Sequence, residues 1–341
     1  MMKKNAEQKE QSPISFTGFM LQVIDDLEKE ERFSTAHVYL YALHAFTMFV
    51  GGGEIFFGGI SRYSLARFEK FMKEQLRAWN TISTYVRALR SVYHRAVDAG
   101  VINGEYRLFS GVYTGTKAEK KRALTDVEIR RLLLDQELCP PLPSETEAQM
   151  QLSLLTTSLC EARDMLSLMF RLQGMPLVDL VHMRRNDLHT DATGRTMLTC
   201  HRQKTGTELN VCVMPEALAL IDRYRSTDPD SPYLLRFLNA NDKGKDSYYA
   251  YGRLLRRLNV LLAKLAAHYG MKGIKVSSYT ARHTWATVAK FCHISEEVIS
   301  EGLGHSSLEV TRTYLKSFEY GELDKANCKV MEQVFGNSLK H

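Results

Sequence analysis

Successive apolar stripes at helical spacing, three of them well marked, occupy the chain before about Gly100, and no strand-like alternation of comparable length interrupts them. Tyr39, Leu43, Phe46 and Val50 recur on one face after a Ser34-Thr35 start, and Gly51-Gly52-Gly53 must end that helix because glycine runs favour turns. Leu65, Phe68, Met72 and Leu76 form another stripe with Ser64 as its expected N-cap, and Ile82, Tyr85, Leu89, Val92 and Ala96 form a further one. A chain that opens this way must bury helix against helix. On the last of these helices Ser83, Arg87, Arg90 and His94 share a face away from the apolar stripe, at spacings that keep step with 3.6 residues per turn.

Alternation appears only later. Met197 to Gln203 and Glu208 to Met214 are rich in Thr, Val and Leu, and Lys204-Thr205-Gly206-Thr207 between them reads as a hairpin turn. Helical spacing resumes in Leu254, Leu258, Leu261 and Leu265, with Arg253, Arg256, Arg257 and Lys264 available for an outward face. The predicted fold class is therefore mainly α with a small antiparallel β meander. Between about Ser110 and Leu124 the apolar pattern lapses, and Lys117, Lys120, Lys121 and Arg122 gather there as a basic, exposed linker. Thr125, followed by Asp126 and Glu128, restarts helix. With 341 residues, two domains with separate cores are expected.

A formal charge of +6 favours a polyanionic partner. The six cysteines are dispersed without Cys-x-x-Cys pairs or zinc spacing, so a reduced cytoplasmic protein without a structural metal is expected. The first ten residues are polar, and no stretch approaches the ~20 apolar residues that span a bilayer. No membrane association is expected.

The chemistry is concentrated near the C-terminus. Tyr279-Thr280-Ala281-Arg282-His283-Thr284-Trp285 is followed by Gly302-Leu303-Gly304-His305 and then by Tyr314. An arginine fork neutralises phosphate oxygens, a histidine adds a hydrogen bond, and a tyrosine hydroxyl can act as a covalent nucleophile. The trio suits attack on a phosphodiester.

In its order and spacing this segment resembles the catalytic C-terminus of the tyrosine recombinases, the phage-integrase family of site-specific DNA strand-exchange enzymes. The resemblance implies a two-domain clamp on double-stranded DNA. An arm (1–13) would precede a helical, SAM-like core-binding domain (14–110), a basic linker (111–123), the catalytic domain (124–318) and a tail helix (319–341) able to dock on a neighbouring protomer. Arg87, Arg90, His94, Lys120, Lys121 and Arg122 become the expected DNA contacts. Tyr314 would attack to give a 3′-phosphotyrosine, Arg282 would clamp the phosphate, His305 would donate to a non-bridging oxygen, and Lys204, at its hairpin turn, would be the general acid. A covalent intermediate stores the bond energy, so no ATP, metal or other cofactor is expected, in keeping with the lack of a Walker motif. The implied assembly is a homotetramer on paired DNA sites, with a monomer free in solution left open.

Two positions depart from the family pattern. The first catalytic arginine should stand two residues after Gly174, where the chain has Pro176; the nearest substitute is Arg171, with Arg184 and Arg185 beyond the next helical pattern. Tyr279 stands where His or Lys is usual, able to hydrogen-bond a phosphate but neutral, or simply to pack beside Trp285. Two other readings are a DNA-binding protein of this fold with impaired cleavage, and a type IB topoisomerase-like enzyme. The expected activity is that of a site-specific recombinase, an integrase or invertase.

Overall fold

The computed structural model describes residues 15–117, 123–134, 147–239, 241–271, 273–315 and 327–331, with 147–154 described in their main chain. Lys120, Lys121, Arg122, the arm 1–13 and all but 327–331 of the tail expected at 319–341 lie outside the described residues; those five are helical. The chain divides into two compact units, residues 1–119 with 244–248, and residues 120–243 with 249–341.

The first unit contains α1 (Phe16–Lys29), α2 (Phe33–Phe49), α3 (Arg62–Glu74) and α4 (Trp79–Asp98). Its core takes Phe46, Leu65, Phe68 and Leu89 from the stripes and Phe16 and Met20 from α1, all fully buried, while Val50 at the end of the first stripe is exposed. Full burial of each such side chain contributes roughly 1.5–3 kcal/mol. α2 stops before the three glycines, each at positive φ. α3 begins earlier than the sequence suggests: Ser61 is its N-cap, and Ser64 sits at the third helical position, reciprocating in a capping box. Leu76, assigned above to the α3 stripe, is past the helix end, at positive φ and almost wholly exposed.

Ser83 is also corrected. It is fully buried on α4, and its hydroxyl donates to the Gly115 carbonyl (2.6 Å). Beside it Asn80 both donates to the Lys117 carbonyl and accepts from the Lys117 amide (2.9 and 2.8 Å), while Lys117 lies over the Trp79 ring. A single amide side chain thus satisfies both backbone groups of one residue. The start of the expected linker is tied to α4 rather than free. Arg87, Arg90 and His94 do line an exposed face of α4.

The second unit contains α5 (Asp126–Leu134), α6 (Glu147–Arg171), α7 (Leu177–Val181), β1 (Leu188–Thr190), β2 (Thr196–His201), β3 (Glu208–Cys212), α8 (Pro215–Arg223), α9 (Gly244–His268) from Tyr249 onward, α10 (Ser278–Phe291), α11 (Glu296–Leu303) and α12 (Leu308–Arg312). The strands form one antiparallel meander, β1-β2-β3, with Leu198 opposite Val211 and Cys200 opposite Leu209. Leu198, Cys200, Leu209 and Val211 turn inward and share one buried core with Leu166, Leu180 and Leu262. The class is therefore mainly α with a small antiparallel sheet, as the sequence predicts. Thr125 caps α5 reciprocally with Glu128.

Candidate active site

α10 supplies the centre of the site. At its start the Ser277 amide donates to the Thr280 hydroxyl (2.9 Å), and Arg282, one turn in, points into the protein with only 2% of its surface exposed. Burying a guanidinium is tolerable only where its donors find acceptors. Nη1 donates to the Gly174 carbonyl (3.2 Å). Nη2 donates to the Leu303 carbonyl (2.6 Å) and to Nε2 of His305 (2.8 Å). Nε is buried without an acceptor among the described residues, which costs about 1–3 kcal/mol.

Two glycines make this approach possible. Gly174 follows α6 at φ +68°, and a Cβ there would stand 2.8 Å from the Arg282 Cα. Gly304 caps α11 in the left-handed conformation at φ +63°, and a Cβ there would stand 2.7 Å from Leu209 and 3.4 Å from Arg202.

His305 follows that cap. Its Nδ1 lies 2.9 Å from the Thr311 hydroxyl. Because arginine only donates, Nε2 must accept from Arg282, and the proton belongs on Nδ1. Burial, then Arg282 and Arg202, push the imidazole down to about 4, so the ring is neutral. The donor role expected for His305 toward phosphate is therefore not the state seen here.

Tyr314 follows α12 and packs against Ala286, Ile299, Leu303 and Leu315. Its ring stacks on His305 (5.0 Å between centroids) and lies 4.6 Å from the ring of His283, with the Arg282 guanidinium carbon 5.3 Å from its centroid. The Tyr314 carbonyl faces Nδ1 of His283 (3.4 Å) and accepts from the Thr287 hydroxyl (3.5 Å). Arg282, His305 and Tyr314 thus meet in one place. Tyr279 is 51% exposed on the same helix, 6.5 Å from the His283 ring; partial burial and then Tyr314 raise its hydroxyl pKa, which keeps it neutral.

Lys204 stands exposed in the turn after β2, without a hydrogen bond or ion pair among the described residues. Pro176 caps α7 and brings no charge. Arg171, the substitute expected from the sequence, donates to the Ser167 hydroxyl (3.2 Å) and lies 3.9 Å from Glu216; no hydrogen bond or ion pair joins it to the trio. Arg185 is likewise engaged elsewhere, its guanidinium donating to the carbonyls of Ser231, Ser226 and Asp228, while Arg184 donates its main-chain amide to Asp187.

The arginine beside the trio is Arg202, which spacing from Gly174 does not reveal. It is 9% exposed, its Nε donates to Asp179 Oδ2 (2.6 Å), and its Nη1 donates to the carbonyls of Leu303 (2.6 Å) and Gly304 (3.3 Å). Asp179 Oδ1 also accepts from the Gln203 amide (2.8 Å). Burial first and Arg202 second push the Arg282 guanidinium down to about 10. Parity along β2 carries the missing signal: Leu198, Cys200 and Arg202 are alternate residues on the buried face, and an arginine in that series must have a partner inside.

Residues 15–109 match the phage integrase SAM-like domain. Over 146 residues the chain is 30% identical to tyrosine recombinase XerA of Pyrococcus furiosus, a match spanning 42% of this chain and about half, 46%, of that relative. Among solved structures it is similar to a lambda integrase dimer bound to a core site (TM-score 0.62, 13% identity, covering 90% of this chain and 100% of that one). It is also similar to the Tn1549 transposon integrase in complex with a circular intermediate DNA (0.58, 13%, 94% and 100%) and to XerH bound to its difH substrate (0.57, 14%, 93% and 97%). At these identities the likeness of the structures is one of fold.

Proposed function

We propose that this chain is a tyrosine recombinase, a site-specific DNA recombinase that cleaves and rejoins duplex DNA through a covalent 3′-phosphotyrosine; the SAM-like match, the partial likeness to XerA and the shared fold support this reading. The observation that carries the reading is the meeting of a buried arginine, a histidine and a tyrosine ring around one point: Arg282 to His305 at 2.8 Å, and Tyr314 stacked on His305. The Tyr314 oxygen attacks phosphorus in line as its proton passes to solvent, the bond from phosphorus to the 5′-oxygen breaks, and the departing 5′-oxygen gains a proton to leave as a hydroxyl. Lys204, at the tip of the β2–β3 turn, is the donor of that proton. A second DNA 5′-hydroxyl reverses the step, so the strand is resealed without outside energy.

Arrival of a phosphodiester changes the electrostatics in the direction the reaction needs. An anion beside two guanidinium groups offsets the repulsion that holds His305 neutral and raises its affinity for a proton. Nε2 then turns from acceptor to donor, and a preorganised donor aimed at a phosphoryl oxygen is worth ~10²–10³ in rate. Two duplexes must be cut and exchanged, which calls for four protomers on paired sites.

The test begins with DNA from the organism that carries the gene. Incubation with the full chain, denaturation, and sequencing of protein-linked ends should give a small set of sites, each with protein on a 3′ end. Tyr314→Phe should abolish them. Absence of adducts with the parent protein favours a binding-only protein, and adducts scattered without sequence preference favour a topoisomerase; either outcome removes the recombinase reading.

A further inference from the structure

We propose that Arg202, carried by the β2–β3 hairpin, is the second phosphate-binding cation of this site, in place of the position occupied by Pro176. The inference rests on the function proposed above. It starts from a shared acceptor: Arg202 Nη1 and Arg282 Nη2 both donate to the Leu303 carbonyl, each at 2.6 Å. Two guanidinium groups on one oxygen are neighbours by necessity, and both are at least nine-tenths buried.

The charge count distinguishes a binding site from a purely structural ion pair. Arg202 with Asp179 would be neutral by itself. Arg282 adds a second cation against that single carboxylate, His305 is neutral, and Tyr314 and Tyr279 are phenols. One positive charge is left over in a place shielded from water, and a buried charge without a counter-ion is costly. A phosphodiester monoanion balances it.

The free donors agree. Arg202 is fixed through Nε and Nη1, and its Nη2 makes no hydrogen bond among the described residues. Arg282 Nε is buried and unpartnered. A non-bridging oxygen is an acceptor both lack, and planar guanidinium forks suit it better than ammonium groups do.

The position is also built from the segment that has lost its own arginine. Asp179, one turn after Pro176 on α7, holds Arg202 by one oxygen and the Gln203 amide by the other. Gly304 leaves room for the Arg202 stem, which a Cβ would meet at 3.4 Å. The cation is delivered from the hairpin side and anchored by the helix that would otherwise carry it.

The test uses the full chain and a suicide oligonucleotide bearing a mapped cleavage site, with the scissile group either a phosphodiester or a methylphosphonate, which lacks the non-bridging charge. Arg202→Ala should slow adduct formation on the phosphodiester by ~10²–10³-fold, the range for a lost donor to a developing oxyanion. On the methylphosphonate it should come within about tenfold of the parent, since rescue is expected when the missing partner is a charge. If Arg202→Ala melts below the assay temperature, Arg202→Lys carries the test, slower than the parent on the phosphodiester and equal to it on the methylphosphonate. A variant that matches the parent on the phosphodiester, or is slowed equally on both substrates, overturns the proposal. A parent that forms no adduct at all refutes the recombinase reading instead.

Discussion

His305 carries a pH signature of its own. Its folded affinity for protons lies at about 4 against an ordinary 6.5, so as pH falls the unfolded chain binds the proton first. Native stability should therefore decline from about pH 6.5 and level off once the folded ring protonates near 4. His305→Gln lacks this component: urea unfolding of parent and variant should differ most at pH 7 and converge toward pH 4. Parallel curves would mean that the ring is not held neutral. At this scale the trio was legible because Arg282, His305 and Tyr314 sit in a fixed order within one short stretch. Arg202 was not, because its role depends on a carboxylate on α7 and a carbonyl on α11, distant in sequence and joined only by folding.

Among the elements, the junctions decide more than the helices do. Gly174→Ala would set a methyl 2.8 Å from backbone that cannot yield, at a φ disfavoured for alanine. It should cost about 1–3 kcal/mol for the strained backbone, with more from displacing α10, and should lower both the urea midpoint and adduct formation. An unchanged midpoint would show that α6 and α10 do not rely on that approach. Helix stripes were readable because periodicity is a property of one segment. Caps were less so: Ser61 and Ser64 are both plausible N-caps, and only Ser61 bonded to the Ser64 amide identifies which one starts α3. Ser83 kept helical register with Arg87, yet register fixes direction and not what lies there, and the 111–117 segment covers it. β1, three residues long, is too short for alternation to register.

For the molecule as a whole, charge makes the broadest prediction. If the exposed α4 face contacts phosphate, Arg87→Ala and Arg90→Ala should each reduce the slope of log affinity against log salt by about one while leaving sequence preference intact. Titrations on a mapped site between 50 and 200 mM salt, as approximate limits, would measure it; a slope equal to the parent's removes that face from the interface. The predominance of helix and the small antiparallel sheet could be read from pattern, whereas the route by which the hairpin reaches the catalytic centre could not. That route ends on the Leu303 oxygen, which both guanidinium groups share. A main-chain carbonyl has no codon: replacing Leu303 by any other residue leaves the acceptor in place. Conventional scanning mutagenesis will therefore find α11 nearly silent in charge placement, and its contribution will emerge only from editing the backbone, by an ester in place of the Leu303–Gly304 amide.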